Sequence, residues 1–138
     1  MEDRIYKNLV DHAADAILFA DREGIIRLWN AGAEATFGFS AAEALGQSLD
    51  LIIPEKLRQR HWDGYHQVMA SGETKYGSAL LSVPARHKNG ARRFGDFSIV
   101  MIRDDDGHLL GIASIMRDTT AQKAREKELR ERIKELET

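Results

Sequence analysis

The residue of this chain best equipped for chemistry is an imidazole on an otherwise apolar helix stripe. In the segment that begins at Pro54, Leu57, His61, Gly64 and Val68 recur at i, i+4, i+7 and i+11, while Lys56, Gln59, Arg60, Asp63 and Gln67 occupy the other sides. This pattern predicts a helix from Pro54 to about Ala70, stopped at Ser71-Gly72, with His61 on its inward side. Gly64, about one turn along, removes a side chain and leaves room for a flat molecule against the helix. The lone pair of His61 could then ligate iron. The alternative is a half-buried histidine bonded to backbone or solvent that helps to close the core. From these residues alone both readings stay open.

Other reactive groupings fall short of known chemistries. The chain has no cysteine, which excludes a disulfide frame, a thiolate metal site and a cysteinyl flavin adduct. His61 and His66 are five apart and so face different sides of a helix, which argues against zinc. Asp104-Asp105-Asp106-Gly107 lacks the alternating ligands and terminal Glu of a calcium loop and is expected to be a solvated turn. Arg86-His87-Lys88 and Arg92-Arg93 form a basic hairpin tip, but no aromatic residue interleaves with them as base stacking requires. There is no phosphate-cradling glycine loop, activated nucleophile or triad-like grouping, so catalysis is not expected.

The elements that must position His61 follow from periodicity and turn chemistry. Ile5, Leu9 and Ala13, with Tyr6 and Val10, predict an amphipathic helix over about 3–14. Residues 16–21 and 25–29 flank Arg22-Glu23-Gly24 and predict a hairpin. Asn30 caps a short helix running to Phe37, and Ser40 caps another over 41–45 with Gly46 as its stop. Residues 76–85, 93–103 and 109–117 are predicted strands, separated by Asn89-Gly90 and Asp106-Gly107 turns. The order of two strands, several helices and three strands predicts an α+β fold: a five-stranded antiparallel sheet with helices on one face.

The chain's 138 residues allow one domain. Its 20 basic and 22 acidic residues give a net charge of −2, which draws it neither to nucleic acid nor to an anionic membrane. No apolar run approaches a membrane span and Met1-Glu2-Asp3-Arg4 does not look like a secretory leader, so a cytoplasmic address is expected. From Ala121 onward helix formers dominate. Leu129, Ile133 and Leu136 take d, a, d places of a heptad, but the preceding Gln122 and Glu126 are polar, so the predicted coiled coil is weak.

Leu28-Trp29-Asn30-Ala31-Gly32-Ala33-Glu34, Phe37-Gly38-Phe39-Ser40, Glu43-Ala44-Leu45-Gly46 and Asp118-Thr119-Thr120 resemble, in register, successive landmarks of PAS domains. The resemblance covers 5–120 and implies a PAS fold, divided into a cap helix (1–15), the domain proper (16–120) and a signalling helix (121–138). It also implies a sensory or dimerising module, a homodimer that serves a kinase or cyclase effector, with Asp118, Thr119 and Thr120 relaying strain from sheet to helix. Pro54-Glu55-Lys56-Leu57-Arg58-Gln59-Arg60-His61 further resembles the Pro-x-x-x-Arg-x-x-His segment of haem-binding PAS oxygen sensors, by which His61 would be the proximal ligand of haem b.

Two departures stand out. Tyr65 comes one residue later than in those sensors, and Leu81 occupies the strand position, two after Ala79, where they carry an arginine that donates to dioxygen. The expected cofactor surroundings are Leu57, His61, Gly64, Tyr65 and Val68 on the helix, with Leu81, Ile99, Met101 and Ile115 as sheet walls. A noncovalent flavin ranks below haem, since no constellation grips its phosphate or ring edge. A space filled by the protein's own side chains, with no cofactor, is the third expectation.

Overall fold

The computed structural model describes residues 1–74 and 81–137. Alternation in burial along Ala16–Asp21 (β1) and a shorter run at Ile26–Trp29 (β2) produces an antiparallel hairpin. Its turn needs Gly24, whose φ of 78° is left-handed. A helix over Glu2–His12 (α1) precedes the hairpin, and Ala31–Phe37 (α2) and Ala41–Ala44 (α3) follow it. Ser40 caps α3 in a full capping box with Glu43. A 3-10 turn at Glu55–Leu57 leads into Arg58–Ser71 (α4), which ends at left-handed Gly72. The predicted helix from Pro54 is therefore α-helical only from Arg58. Pro54 sets a tight entry turn rather than the first turn of α4.

Three further strands follow: Leu81–Arg86 (β3), Arg92–Arg103 (β4) and Leu109–Asp118 (β5). The start of the strand predicted over 76–85 lies, as far as residue 80, outside the described residues. The sheet is antiparallel in the order β2-β1-β5-β4-β3, so the first and last strands pair at its centre. A terminal helix spans Thr120–Glu137 (α5). The expected α+β architecture is the one observed.

Because side chains alternate along a strand, the register divides the sheet into two faces. Ala16, Leu18 and Ala20 of β1 lie opposite Met116, Ser114 and Ile112 of β5, and these lie opposite Phe97, Ile99 and Met101 of β4. This face is covered by the helices and carries the core with Ile26, Trp29, Ala33, Phe37, Tyr65 and Met69. Gly95 belongs to it because Met116 lies across its backbone: a Cβ there would come within 2.2 Å of the Met116 Cε.

One buried side chain ties the N-terminal half together. Asn30 is 3% exposed. Its Oδ1 accepts from the amides of Ile17 (2.8 Å) and Ala33 (2.9 Å). Its Nδ2 donates to the carbonyls of Val10 (2.7 Å) and Asp15 (3.1 Å). The cap predicted from sequence thus also fixes the end of α1 and the start of β1. Asn30→Ala strands these buried groups and should lower stability by about 2–4 kcal/mol in urea unfolding. A loss below about 0.5 kcal/mol would show that water replaces the amide.

Candidate functional site

Helix α4 meets the sheet through Tyr65, Met69 and Trp62. Tyr65 is buried and its hydroxyl donates to the Asp21 and Ala20 carbonyls of β1. Burial and the nearby Asp21 charge push that phenol well above its usual range. The Trp62 ring lies on the β1–β2 turn, where a Cβ on Gly24 would fall 2.1 Å from the Trp62 Cη2, and its indole donates to Asp50 Oδ1 at 2.7 Å. Arg58 pins the same 50–53 loop by donating to the carbonyls of Ile53 and Asp50. At the other end of α4, Arg22 donates to the Met69 carbonyl (3.1 Å) and Arg103 to the Gly72 carbonyl. The helix is thus held at both ends.

His61 stands half-buried among these aromatics. Its ring meets Trp62 edge-on at 4.7 Å between centroids and is tilted to Tyr65 at 5.7 Å. Nδ1 is buried and lacks a hydrogen-bond partner. Burial lowers the His61 pKa, opposed by the Asp50 carboxylate and aided by His66. Burial thus disfavours the charged imidazole, and one buried polar atom is left unsatisfied. An iron-ligating histidine usually has its second nitrogen anchored by an acceptor. Here Nδ1 has none, so the described residues supply a ligating group without the anchor that would orient it. An unsatisfied nitrogen in an apolar setting suits a hydrogen bond to a small bound molecule more directly.

The other expected site residues divide. Leu57 and Val68 are half-buried on α4's approach, and Leu81, Ile99 and Met101 are half-buried on the helix-covered sheet face. Gly64 is exposed, with nothing within 4 Å of the position a Cβ would take. At roughly 100° per residue, the stripe Leu57-His61-Gly64-Val68 is rotated about 70° from the face that docks, which centres on Tyr65. Gly64 consequently makes no room for a ligand. Ile115 pairs with Ile17 and Ser98 on the sheet's open face and is 36% exposed, so it is no cavity wall. Its neighbour Met116 takes the inward position. Trp62, Asp50 and Arg22 were missed, although an indole one residue after His61 and a glycine turn it could cover were both visible in the sequence.

The Asp118-Thr119-Thr120 junction is built from hydrogen bonds to β4. The Thr119 amide donates to the Phe94 carbonyl at 2.7 Å, and the Phe94 amide donates to Thr120 Oγ1 at 2.9 Å. The first residue of α5 thus replaces a backbone carbonyl in the last rung of the β4–β5 ladder. Asp118 Oδ1 accepts from both the amide and the hydroxyl of Thr120, at 2.9 and 2.6 Å. Phe94 was not foreseen, since only the register reveals it. In the β4–β5 turn, Asp104, Asp106 and His108 approach one another, but Asp104 Oδ1 already accepts from the amides of Asp106 and His108. That carboxylate serves the expected solvated turn.

A central antiparallel sheet, helices gathered over one face and a terminal helix bonded to its last rung define the α+β class of fold. The family model described as PAS fold matches residues 10–124, and the chain belongs to that family. Sensor protein FixL of Bradyrhizobium diazoefficiens is 39% identical over 59 residues, covering 43% of this chain and 12% of FixL. Cell-division control histidine kinase PdhS of Brucella abortus (strain S19) is 28% identical over 131 residues, covering 95% of this chain and 12% of PdhS. The chain therefore spans about one-eighth of the length of these relatives. Among solved structures, a PAS domain from Colwellia psychrerythraea superposes with a TM-score of 0.76 at 22% identity, covering 88% of this chain and 99% of that one. The PAS domain of the Cronobacter turicensis quorum-sensing receptor RpfR, in complex with C12:0, gives 0.63 at 20% identity, covering 80% and 99%.

The state of His61 makes stability pH-dependent. Its folded pKa lies below its unfolded value near 6.5, so the unfolded chain binds the extra proton. The contribution is fully present above the unfolded pKa and is lost as pH falls from there toward the folded pKa. Urea midpoints of the wild type should drop between pH 7.5 and 5.5 by more than those of His61→Asn. Equal slopes in the two proteins would mean that His61 is not desolvated.

Proposed function

We propose that the chain is a non-catalytic sensory and dimerisation module of a signal-transduction protein. In this reading a ligand between α4 and the β3–β4 part of the sheet changes the sheet, and β4 passes the change through Phe94 to Thr120 and α5. The observation that carries the proposal is the shared rung at Phe94, which makes the start of α5 part of the sheet it reports on. Two relatives are by name a sensor protein and a histidine kinase, which supports an effector of the kinase class downstream of α5. Exposed apolar residues on α1 (Ile5, Tyr6, Leu9) and on α5 (Leu129, Ile133, Leu136) support a homodimer built through the terminal helices. No helix among the described residues is long and apolar enough to cross a membrane, and the reading places the domain in the cytoplasm.

A ligand drives this relay only by binding the two sheet arrangements with different affinity. His61 Nδ1 is the polar group that would read it, within walls of Leu81, Ile99 and Met101. Haem b is the second reading: the half-buried imidazole of His61 would supply the ligand, without the acceptor on Nδ1 that usually anchors an iron-bound histidine. The test is the visible spectrum of protein purified from cells supplied with haem precursor, before and after reduction and carbon monoxide. A colourless, folded protein is expected on the small-molecule reading. A Soret band that shifts with carbon monoxide and vanishes in His61→Ala would establish haem instead.

The relay has its own test. Thr120→Val keeps the shape but removes the hydroxyl, and should speed amide exchange at Phe94 and in the first turn of α5 while lowering stability by about 1–2 kcal/mol. Unchanged exchange at Phe94 would separate α5 from the sheet and remove the basis of the relay.

A further inference from the structure

The basic hairpin tip is used by neither the His61 site nor the output junction. Arg86 and Arg92 lie directly opposite each other on β3 and β4, an arrangement of like charges that destabilises a strand pair unless something neutralises it. Among the described residues neither guanidinium takes part in an ion pair, although Lys88 beside them pairs with Glu43.

A cleft of about 210 Å³ opens at the same place, between the turn at Pro54 and Glu55 and the strands around Ala85 and Ala91, with Arg86 and Arg92 on its wall. Its sides are fixed by backbone bonds. The Arg86 amide donates to the Ile52 carbonyl at 2.8 Å, and the Lys88 amide donates to the Phe37 carbonyl at 2.9 Å. Glu55 also lines the cleft but is ion-paired to neither arginine. It leaves the lining with a net positive charge.

We propose that this cleft binds a small oxyanion, a carboxylate or phosphate group on a compact molecule, through Arg86 and Arg92. Planar guanidinium groups bind such groups through paired, charge-assisted hydrogen bonds, and the volume suits a molecule of few heavy atoms. The site is separate from His61 and does not depend on the sensory reading. Its floor is the turn that leads into α4.

The experiment is a titration of the full chain with phosphate, succinate and glutamate, followed through the backbone amide resonances of Gly90 and Ala91. Saturable shifts with at least one of the three are expected, weakened tenfold or more in Arg86→Gln and Arg92→Gln and unchanged in Lys127→Gln on α5. Both cleft variants keep the backbone bonds that fix the walls, and an unchanged circular dichroism spectrum checks their folding. Absence of saturable shifts with all three ligands, or equal weakening in Lys127→Gln, would overturn the proposal.

Discussion

The placement of everything else depends on one buried amide. Asn30 bonds α1, β1 and α2 to a single point through a side chain that is both donor and acceptor. A leucine of similar volume would leave four backbone groups without this partner, the amide of Ala33 in a buried setting and the other three part-buried, and a fully buried orphan costs about 1–3 kcal/mol. An aspartate would keep the two amides as donors to it and lose the carbonyls of Val10 and Asp15. Only a carboxamide satisfies both sets. With β1 so fixed, its pairing with β5 sets the centre of the sheet, and the first and last elements of the domain become neighbours. Arg117 and Asp15 then approach to 3.4 Å at the roots of the two terminal helices.

From that fixed centre, α4 is placed by groups whose polar tips reach the backbone of β1 and its turn. Tyr65 does this directly, Trp62 does it through Asp50 and the bare surface of Gly24, and Arg22 of the turn reaches back to the Met69 carbonyl of the helix. The helix is amphipathic in an unusual way, because its docking face consists of aromatics and one methionine rather than of aliphatic residues. This rigid seating near β1 contrasts with the half-buried Leu81, Ile99 and Met101 toward β3 and β4.

Much of the fold was legible because its punctuation is chemical. Gly24, Gly90 and Gly107 all have φ between 78° and 87°, which is why the hairpin turns could be read directly. Asn30 and Ser40 were legible as caps for a similar reason. The phase of α4 was not. A stripe traced through Leu57, His61, Gly64 and Val68 missed the docking face because Trp62 and Tyr65 bury their rings while keeping polar tips, so hydropathy alone misplaces them. Ile115 was misassigned for a different reason. In β5 both Ile115 and Met116 are apolar, so alternation gives no phase, and only the pairing with β1 and β4 decides which faces the helices. Phe94 could not be seen at all, since its role is carried by backbone atoms that any residue possesses.

In the proposed relay, the junction is what would let so polar a helix act as an output. No residue of α5 is buried, and its exposed leucines and isoleucine give it no core of its own. Its direction therefore comes from its first turn, where Thr120 is bonded to Phe94 and Asp118, and Lys123 lies over the Phe94 ring at 5.9 Å. A helix of 18 residues spans roughly 27 Å, so a change of a few degrees at this root moves its far end by about 1–2 Å. In the proposed homodimer, a displacement of that size would alter the packing of a heptad seam between the two copies. On that proposal the weakness of the seam favours signalling, because a strongly associating helix would resist a small rotation imposed by the sheet.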